Sequence, residues 1–334
     1  MVSGAATHSG SGTRSRRWSS VASFVSASAA APELSVVVGL ISGKVADLER
    51  CLVALAAQQG APPFEAIVPF DAPCAGVRTL AARFPDVQFV PLEGVDTAAA
   101  RAGGSREHHD TLRTLGLRRA RGRVVILTED HAHAEPRWCA GLLQGLADHP
   151  RAGCIGGAVE CGGQGMLAFA VWLCDFGRYM NPLADGPAWY VSDSNVAYRR
   201  EVLEEVADAW RGDYHETLVH GAIAARGHEL RLTSKVVVWQ TRSGLTLGEA
   251  LRERRVWGRS YAGSRVAGAG AGKRLVLAAL TPLLPFVLTW RLLRGVLQKR
   301  RLVGRTVAAL PLLLLLSTTW AIGEFAGYVT GRPR

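Results

Sequence analysis

The stretch that most constrains this chain is Val124–Trp138, where the apolar run Val124, Val125, Ile126 and Leu127 stops abruptly at Glu129, Asp130 and His131. A short apolar run bounded in this way reads as a buried parallel strand. The carboxyl ends of such strands are where open α/β sheets place their ligand chemistry. Two carboxylates and an imidazole are costly to bury there unless something uses them. A divalent metal holding a phosphorylated ligand is one such user; an exposed acidic turn is the other reading. In an extended strand end Glu129 and His131 project to one side and Asp130 to the other.

The rest of the first half repeats the pattern. Leu34–Leu40, Phe64–Val68 and Val87–Val90 are further apolar runs. Between them lie segments with helical spacing: Asp47–Gln59, with Leu48, Cys51, Leu52 and Leu55 on one face, the short Val77–Phe84, and the basic Leu112–Arg121, stopped by Gly122. Residues 91–110 read as a loop. Alternating strands and helices predict an α/β fold with a parallel or mostly parallel sheet.

After Trp138 the pattern predicts a helix over Cys139–Leu146 and a strand over Ala152–Val159, whose Gly156 and Gly157 mark a close backbone approach. Met166–Phe176 is apolar and packs on the core or on a membrane surface. Trp189–Tyr198 leads into a helix over Arg200–Trp210, residues 212–227 read as loop then helix, and Leu230–Trp239 is a closing strand.

The net charge of +11 is concentrated. Arg252, Arg254, Arg255, Arg259, Arg265, Lys273 and Arg274 form one group, and Arg291, Arg294, Lys299, Arg300, Arg301 and Arg305 another. They bracket the apolar stretch Leu275–Leu293, which favours anionic lipid over nucleic acid as the partner. Leu247–Ser264 has the makings of an arginine-rich amphipathic helix suited to a membrane interface, with Leu251, Val256 and Trp257 among its apolar members. Residues 275–293 and 306–323 each approach the length of about 17–20 residues needed to cross a bilayer. Basic residues on both sides of the first segment conflict with a simple crossing, and Pro282 and Pro285 lie within it. A dip that returns, an interfacial helix and a two-span hairpin all remain open.

The six cysteines show no C-x-x-C pair, so small, buried, reduced thiols are expected. Residues 1–32 are rich in Ser, Ala and Gly and look disordered. A signal peptide is the rival reading, but five serines interrupt its apolar core. The expected division is therefore 1–32, a catalytic domain over 33–245, an interface helix and hinge over 246–272, and membrane segments over 273–334.

Several local patterns together resemble glycosyltransferase family 2. The run Leu48-Glu49-Arg50-Cys51-Leu52-Val53-Ala54-Leu55-Ala56-Ala57-Gln58 is similar to that family's "L-x-x-C-L-x-S-L-x-x-Q" helix. Glu65–Asp71 resembles "E-V-I-V-V-D-D", and Arg113–Gly122 resembles "R-N-x-G-x-x-x-A-x-G". Glu129-Asp130-His131 stands where the family carries its metal-binding D-x-D, with Pro136 and Trp138 following. Ser194–Glu201 is similar to "N-x-A-x-R-R-E", and His215-Glu216 occupies the "E-D" position ahead of Gly227.

The resemblance implies the nucleotide-sugar-binding fold called GT-A. It also implies transfer of a sugar from a nucleotide diphosphate to an acceptor hydroxyl, with inversion. Glu129 and His131 would ligate Mn²⁺ or Mg²⁺, with imidazole favouring Mn²⁺. Asp71, Arg113 and Asp130 would contact the donor, and Asn195 would shape the acceptor loop. Glu216 would be the general base, with Asp213 as runner-up. The residues by themselves also allow Asp71 as a turn carboxylate and Glu216 as an acidic helix start.

Three departures stand out: Phe70 replaces the first aspartate of a pair, D-x-D becomes Glu-Asp-His, and the E-D aspartate becomes Glu216. They motivate a second reading, a catalytically inactive relative serving as a membrane scaffold or partner subunit. A nucleotidyltransferase is a third, resting only on Leu40–Lys44. Arg254, Arg255 and Trp257 match poorly to the "Q-x-x-R-W" of processive synthases, which argues against a polymer synthase. The expected protein is a membrane-attached enzyme of envelope polysaccharide or glycolipid assembly. It would sit at the inner membrane facing the cytoplasm, with a nucleotide-sugar donor, a lipid-linked or saccharide acceptor and membrane lipid as partners, and no nucleic acid.

Overall fold

The computed structural model describes residues 24, 31–72, 74, 76–93 and 106–332. Most of the expected disordered N-terminal segment and much of the expected 91–110 loop lie outside the described residues. Phe24 is described: it bridges to Phe64, their rings edge to face at 5.4 Å.

The described strands are β1 Leu34–Gly39, β2 Phe64–Asp71, β3 Gln88–Leu92, β4 Val124–Glu129, β5 Ala132–Ala134, β6 Ala152–Cys161, β7 Gly186–Ala188, β8 Asn195–Arg199 and β9 Glu229–Gln240. They form a single sheet of order β3-β2-β1-β4-β8-β6-β9-β5, with β7 added on β9. β1 lies between β2 and β4, parallel to both, with Leu34 opposite Phe64 and Val124. All its residues are buried, which is why it reads as an unbroken apolar run. The pairings make β1, β2, β3, β4, β6 and β9 run one way and β5, β7 and β8 the other. The expected α/β class with a mostly parallel sheet is the one found.

The helices are α1 Val45–Ala56, α2 Val77–Arg83, α3 Arg106–Arg119, α4 Trp138–Asp148, α5 Gly165–Phe176, α6 Arg200–Glu205, α7 Glu216–Ala225, α8 Leu247–Arg265, α9 Ala271–Leu280, α10 Leu284–Lys299 and α11 Val303–Thr330. α1 buries the expected Leu48, Cys51, Leu52 and Leu55. α3 begins at Arg106, inside the segment expected to be loop. Its first turn is His- and Glu-rich, so apolar periodicity starts only at Leu112. The close approach expected at Gly157 is real: a Cβ there would lie 2.1 Å from the Val236 carbonyl oxygen and 2.5 Å from the Asn195 amide nitrogen. All six cysteines are free, and burial pushes the Cys51, Cys139 and Cys154 thiols far above their usual range.

The C-terminal helices pack beneath this domain. α9 and α10 are separated by a 3-10 turn at Thr281–Leu283 that contains Pro282, and Pro285 sits in the first turn of α10. α10 and α11 form a hairpin whose turn puts Arg300 and Leu302 in the left-handed region. One side of α11 meets α5 through Ala309, Leu313 and Leu316. Further along, α11 meets α8. A Cβ at Gly323 would lie 2.1 Å from the Arg255 carbonyl oxygen, and one at Gly258 2.3 Å from that of Trp320. α8 therefore buries small residues and Arg254 against α11.

Three arginines of the basic clusters bracketing the first apolar stretch dock onto the rest of the chain. Arg301 pairs with Glu160 at 2.7 Å, Arg305 donates to the Gly165 carbonyl, and Arg274 donates to the Tyr328 carbonyl near the end of α11. Ala271–Lys299 and Val303–Thr330 are each long and apolar enough to cross a membrane. Leu275, Leu283, Phe286, Trp290, Ile322 and Phe325 all stand exposed on them.

Candidate active site

β1 and β2 lead outward on one side of the sheet while β4 sits on the other side of β1. The crevice beyond the carboxyl ends of β1 and β4 is thus a topological switch point, where α/β sheets bind ligands. A cavity of about 900 Å³ opens there and extends down to α8, α10 and α11. Glu129, His131, Arg113, Asp193 and Glu216 line it, with Lys44 and Arg242.

The end of β4 behaves as strand alternation requires. The Glu129 carboxylate and the His131 imidazole face each other, Oε2 to Nε2, at 3.4 Å. Glu129 also accepts from Arg113 at 2.8 Å and from Gln240 at 3.1 Å. Asp130 points the other way. Its Oδ1 accepts the backbone N–H groups of Ile41 at 2.9 Å and Ser42 at 3.1 Å, and the Ser42 hydroxyl donates to Oδ2. Asp130, expected to contact the donor, is absent from the cavity lining and fastens the loop after β1 against the end of β4. Burial raises the Asp130 pKa, but its bonds to His131 and Ser42 outweigh that and hold it below the usual range.

Arg113 is the hub. It is almost fully buried on α3 and reaches Glu129, Asp193 at 3.0 Å and Asp110 at 3.6 Å. Burial alone would lower its pKa; Asp193, Glu129 and Asp110 raise it above normal. Burial raises the Glu129 carboxyl, with His131 and Arg113 opposing. Burial likewise disfavours charge on His131, and Asp130 and Glu129 reverse that.

The other sequence candidates divide. Glu216 opens α7 and lines the cavity. Asp213 is off the lining and half-exposed near the Thr111 hydroxyl at 3.4 Å, its pKa raised by desolvation and by Asp110. Asp71 ends β2, buried against His108 at 3.3 Å, and it is His108 that lines the cavity. Asn195, expected to shape an acceptor loop, is a fully buried residue at the start of β8. Its amide accepts from the Trp138 indole at 2.8 Å and donates to the Ala158 carbonyl at 2.8 Å and that of Val236 at 3.3 Å. Asn195→Ala would leave these buried groups without partners at about 1–3 kcal/mol each. The expected outcome is a large fall in thermal midpoint with donor KM unchanged in the protein that remains folded. A changed KM at unchanged stability would restore its acceptor role.

Asp193, Gln240 and Arg242 were not legible as site residues. Asp193 stands two residues before Asn195 in Ser192-Asp193-Ser194-Asn195, so a polar cluster ahead of β8 was the available signal. Arg254, whose sequence motif was poor, does reach the cavity. It pairs with Asp175 and lies over the Trp257 and Trp320 rings at 5.6 and 6.0 Å. Behind α7, His220 shares the Tyr198 hydroxyl with Tyr214, at 2.9 and 2.8 Å, and desolvation lowers its pKa to about 4.

Among the described residues no three His, Cys, Asp or Glu side chains converge as a complete metal cage. Glu129 and His131 nevertheless fit a cation that draws its remaining ligands from a bound diphosphate and water, as Mg²⁺ and Mn²⁺ commonly do at phosphate sites. Their facing oxygen and nitrogen are the observation that supports this.

Residues 43–207 match the family described as glycosyl transferase family 2. A search of curated proteins finds no match. Among solved structures, S. aureus TarS aligns over 67% of this chain at 14% identity and a TM-score of 0.45, and the chain spans 38% of its length. S. aureus TarS 1–349 in complex with UDP-GlcNAc aligns over 90% of this chain and 92% of its own, at 13% identity and a TM-score of 0.48. The mannosyltransferase PcManGT from Pyrobaculum calidifontis, in complex with GDP-Man and Mn²⁺, aligns over 92% of this chain and 87% of its own, at 18% identity and 0.44.

Proposed function

We propose that the chain, whose residues 43–207 match glycosyl transferase family 2, is a membrane-attached, inverting glycosyltransferase using a nucleotide-diphosphate sugar. The observation that carries this is the convergence of Glu129, His131, Arg113 and Glu216 on one cavity at the sheet's switch point. The diphosphate would lie toward Glu129, His131 and Arg242, with Lys44 adding positive charge. A divalent cation held by Glu129 and His131 would neutralise charge on the departing diphosphate.

Glu216 takes the proton of the acceptor hydroxyl as its oxygen attacks the anomeric carbon from the face opposite the leaving group. The bond from that carbon to the diphosphate oxygen breaks, and the nucleoside diphosphate departs with the electron pair. Arg113 holds Glu129 and Asp193 in place and does not need to move. Asp71 and His108 sit at the β2 end, where a nucleoside would reach. The apolar faces of α9–α11 attach the enzyme to a membrane, with the catalytic domain on the cytoplasmic side of an inner membrane. This suits a lipid-linked or saccharide acceptor in envelope polysaccharide or glycolipid assembly. The domain division expected from sequence is retained as part of this proposal.

Thermal unfolding of the detergent-solubilised chain with UDP-, GDP- and dTDP-sugars, with and without Mn²⁺, tests the reading. One donor should stabilise the protein in a metal-dependent way, and Glu129→Ala and His131→Ala should abolish that gain. Folded protein indifferent to every donor would reject the transferase mechanism.

A further inference from the structure

The cavity does not end at the catalytic carboxylates. Its lower half is walled by Leu284, Leu288 and Leu292, one row of α10, and by Leu316 and Trp320 of α11. A nucleotide sugar has no use for such a wall. Most cations lining the cavity are already held: Arg113 by Glu129 and Asp193, Arg242 by Glu253 at 2.6 Å, Arg254 by Asp175. Lys44 donates to the Ser243 carbonyl at 2.6 Å, and Lys299 to that of Pro182 at 2.8 Å.

Three arginines are different. Arg178, Arg252 and Arg291 also line the cavity, and among the described residues none of them makes an ion pair. Arg178 hydrogen-bonds the Tyr179 hydroxyl and lies over its ring at 5.7 Å, which leaves its charge without an acid. They come from three separate elements: the turn after α5, α8 and α10. Guanidinium groups without acid partners beside an apolar wall suit a ligand with an anionic head and a hydrocarbon tail. Arginine in particular matches phosphate oxygens through its forked donors.

We propose that the lower half of the cavity is a subsite for an acceptor built on a lipid phosphate. Arg178, Arg252 and Arg291 bind its phosphate, and its chain lies along the leucine row of α10. The assignment rests on the glycosyltransferase reading and specifies its acceptor class. Gly295 continues the α10 row into open space: a Cβ there would meet no atom within 4 Å. It is therefore a position where a large side chain can fill the subsite without displacing the fold.

The test uses the full chain in phosphatidylcholine nanodiscs and equilibrium binding of tritium-labelled farnesyl phosphate. Farnesol, inorganic phosphate and phosphatidylglycerol are the competitors, and nucleotide-sugar binding is measured in parallel. Farnesyl phosphate should bind roughly tenfold or more tightly than farnesol. The Arg252→Ala/Arg291→Ala double variant should lose that advantage while keeping nucleotide-sugar binding. Gly295→Phe should weaken both farnesyl ligands and spare the donor. Equal binding of farnesol and farnesyl phosphate, or variants that bind as the parent does, would overturn the subsite. Full competition by inorganic phosphate would make it a simple anion site, and by phosphatidylglycerol a general lipid contact; either overturns the acceptor assignment. Loss of nucleotide-sugar binding in the parent, with farnesyl phosphate still bound, would instead count against the transferase reading alone.

Discussion

Replacing Arg113 with methionine is expected to destabilise the chain by about 3–5 kcal/mol and lower its thermal midpoint by roughly 10 °C. The side chain is nearly the right length and apolar, so packing is largely kept. What is lost is the one guanidinium that Glu129 and Asp193 share at 2.8 and 3.0 Å, with Asp110 at 3.6 Å. Glu129 is buried and its carboxyl already pushed up by desolvation; without Arg113 it rises further. Arg113→Lys should recover only part of the loss, because an ammonium cannot fork between two carboxylates. Circular dichroism melts of parent, Met and Lys variants check this. A Met variant melting with the parent would mean that the carboxylates are satisfied some other way.

Glu216→Gln is expected to lower kcat by about 10²–10⁴-fold, the usual worth of a positioned general base. Its effect on stability should stay within about 1 kcal/mol, the usual worth of an acidic residue at a helix start such as that of α7. Donor binding should be unchanged. The pH–rate profile supplies a readout that a structural role would not move. A base works only when deprotonated, so activity in the parent falls as pH drops through its pKa, and the Gln variant should lack that limb. Asp213→Asn is the control: it is off the cavity lining and should leave kcat within a few-fold. If Glu216→Gln kept its rate and its acid limb, Asp193 would be the carboxylate to test next, because it shares the cavity.

The central strands β1 and β4 were legible because both are buried in the sheet, and burial writes itself as apolar runs. β5 and β7 were not, because each is only three residues long and pairs at the edge of the sheet with β9, so neither shows a period. Glu129, His131 and Glu216 could be read from sequence because motif order carries their position. Asn195 and Asp130 sit in equally convincing motifs yet face inward, one as the amide linking β8 to β6 and β9, the other as the anchor of the loop after β1.

The class of sheet, the place of the acidic strand end and the two long apolar segments are written along the chain. These follow from local periodicity, and each is decided within about one element's length. Tertiary structure alone decided what the charges do. Arg113, Arg254, Arg274 and Arg301 each find their partners on other elements, whereas Arg178, Arg252 and Arg291 pair with no carboxylate among the described residues. Whether an arginine is spent or available depends on which acceptors the fold brings within about 3 Å, and no one-dimensional pattern encodes that distance.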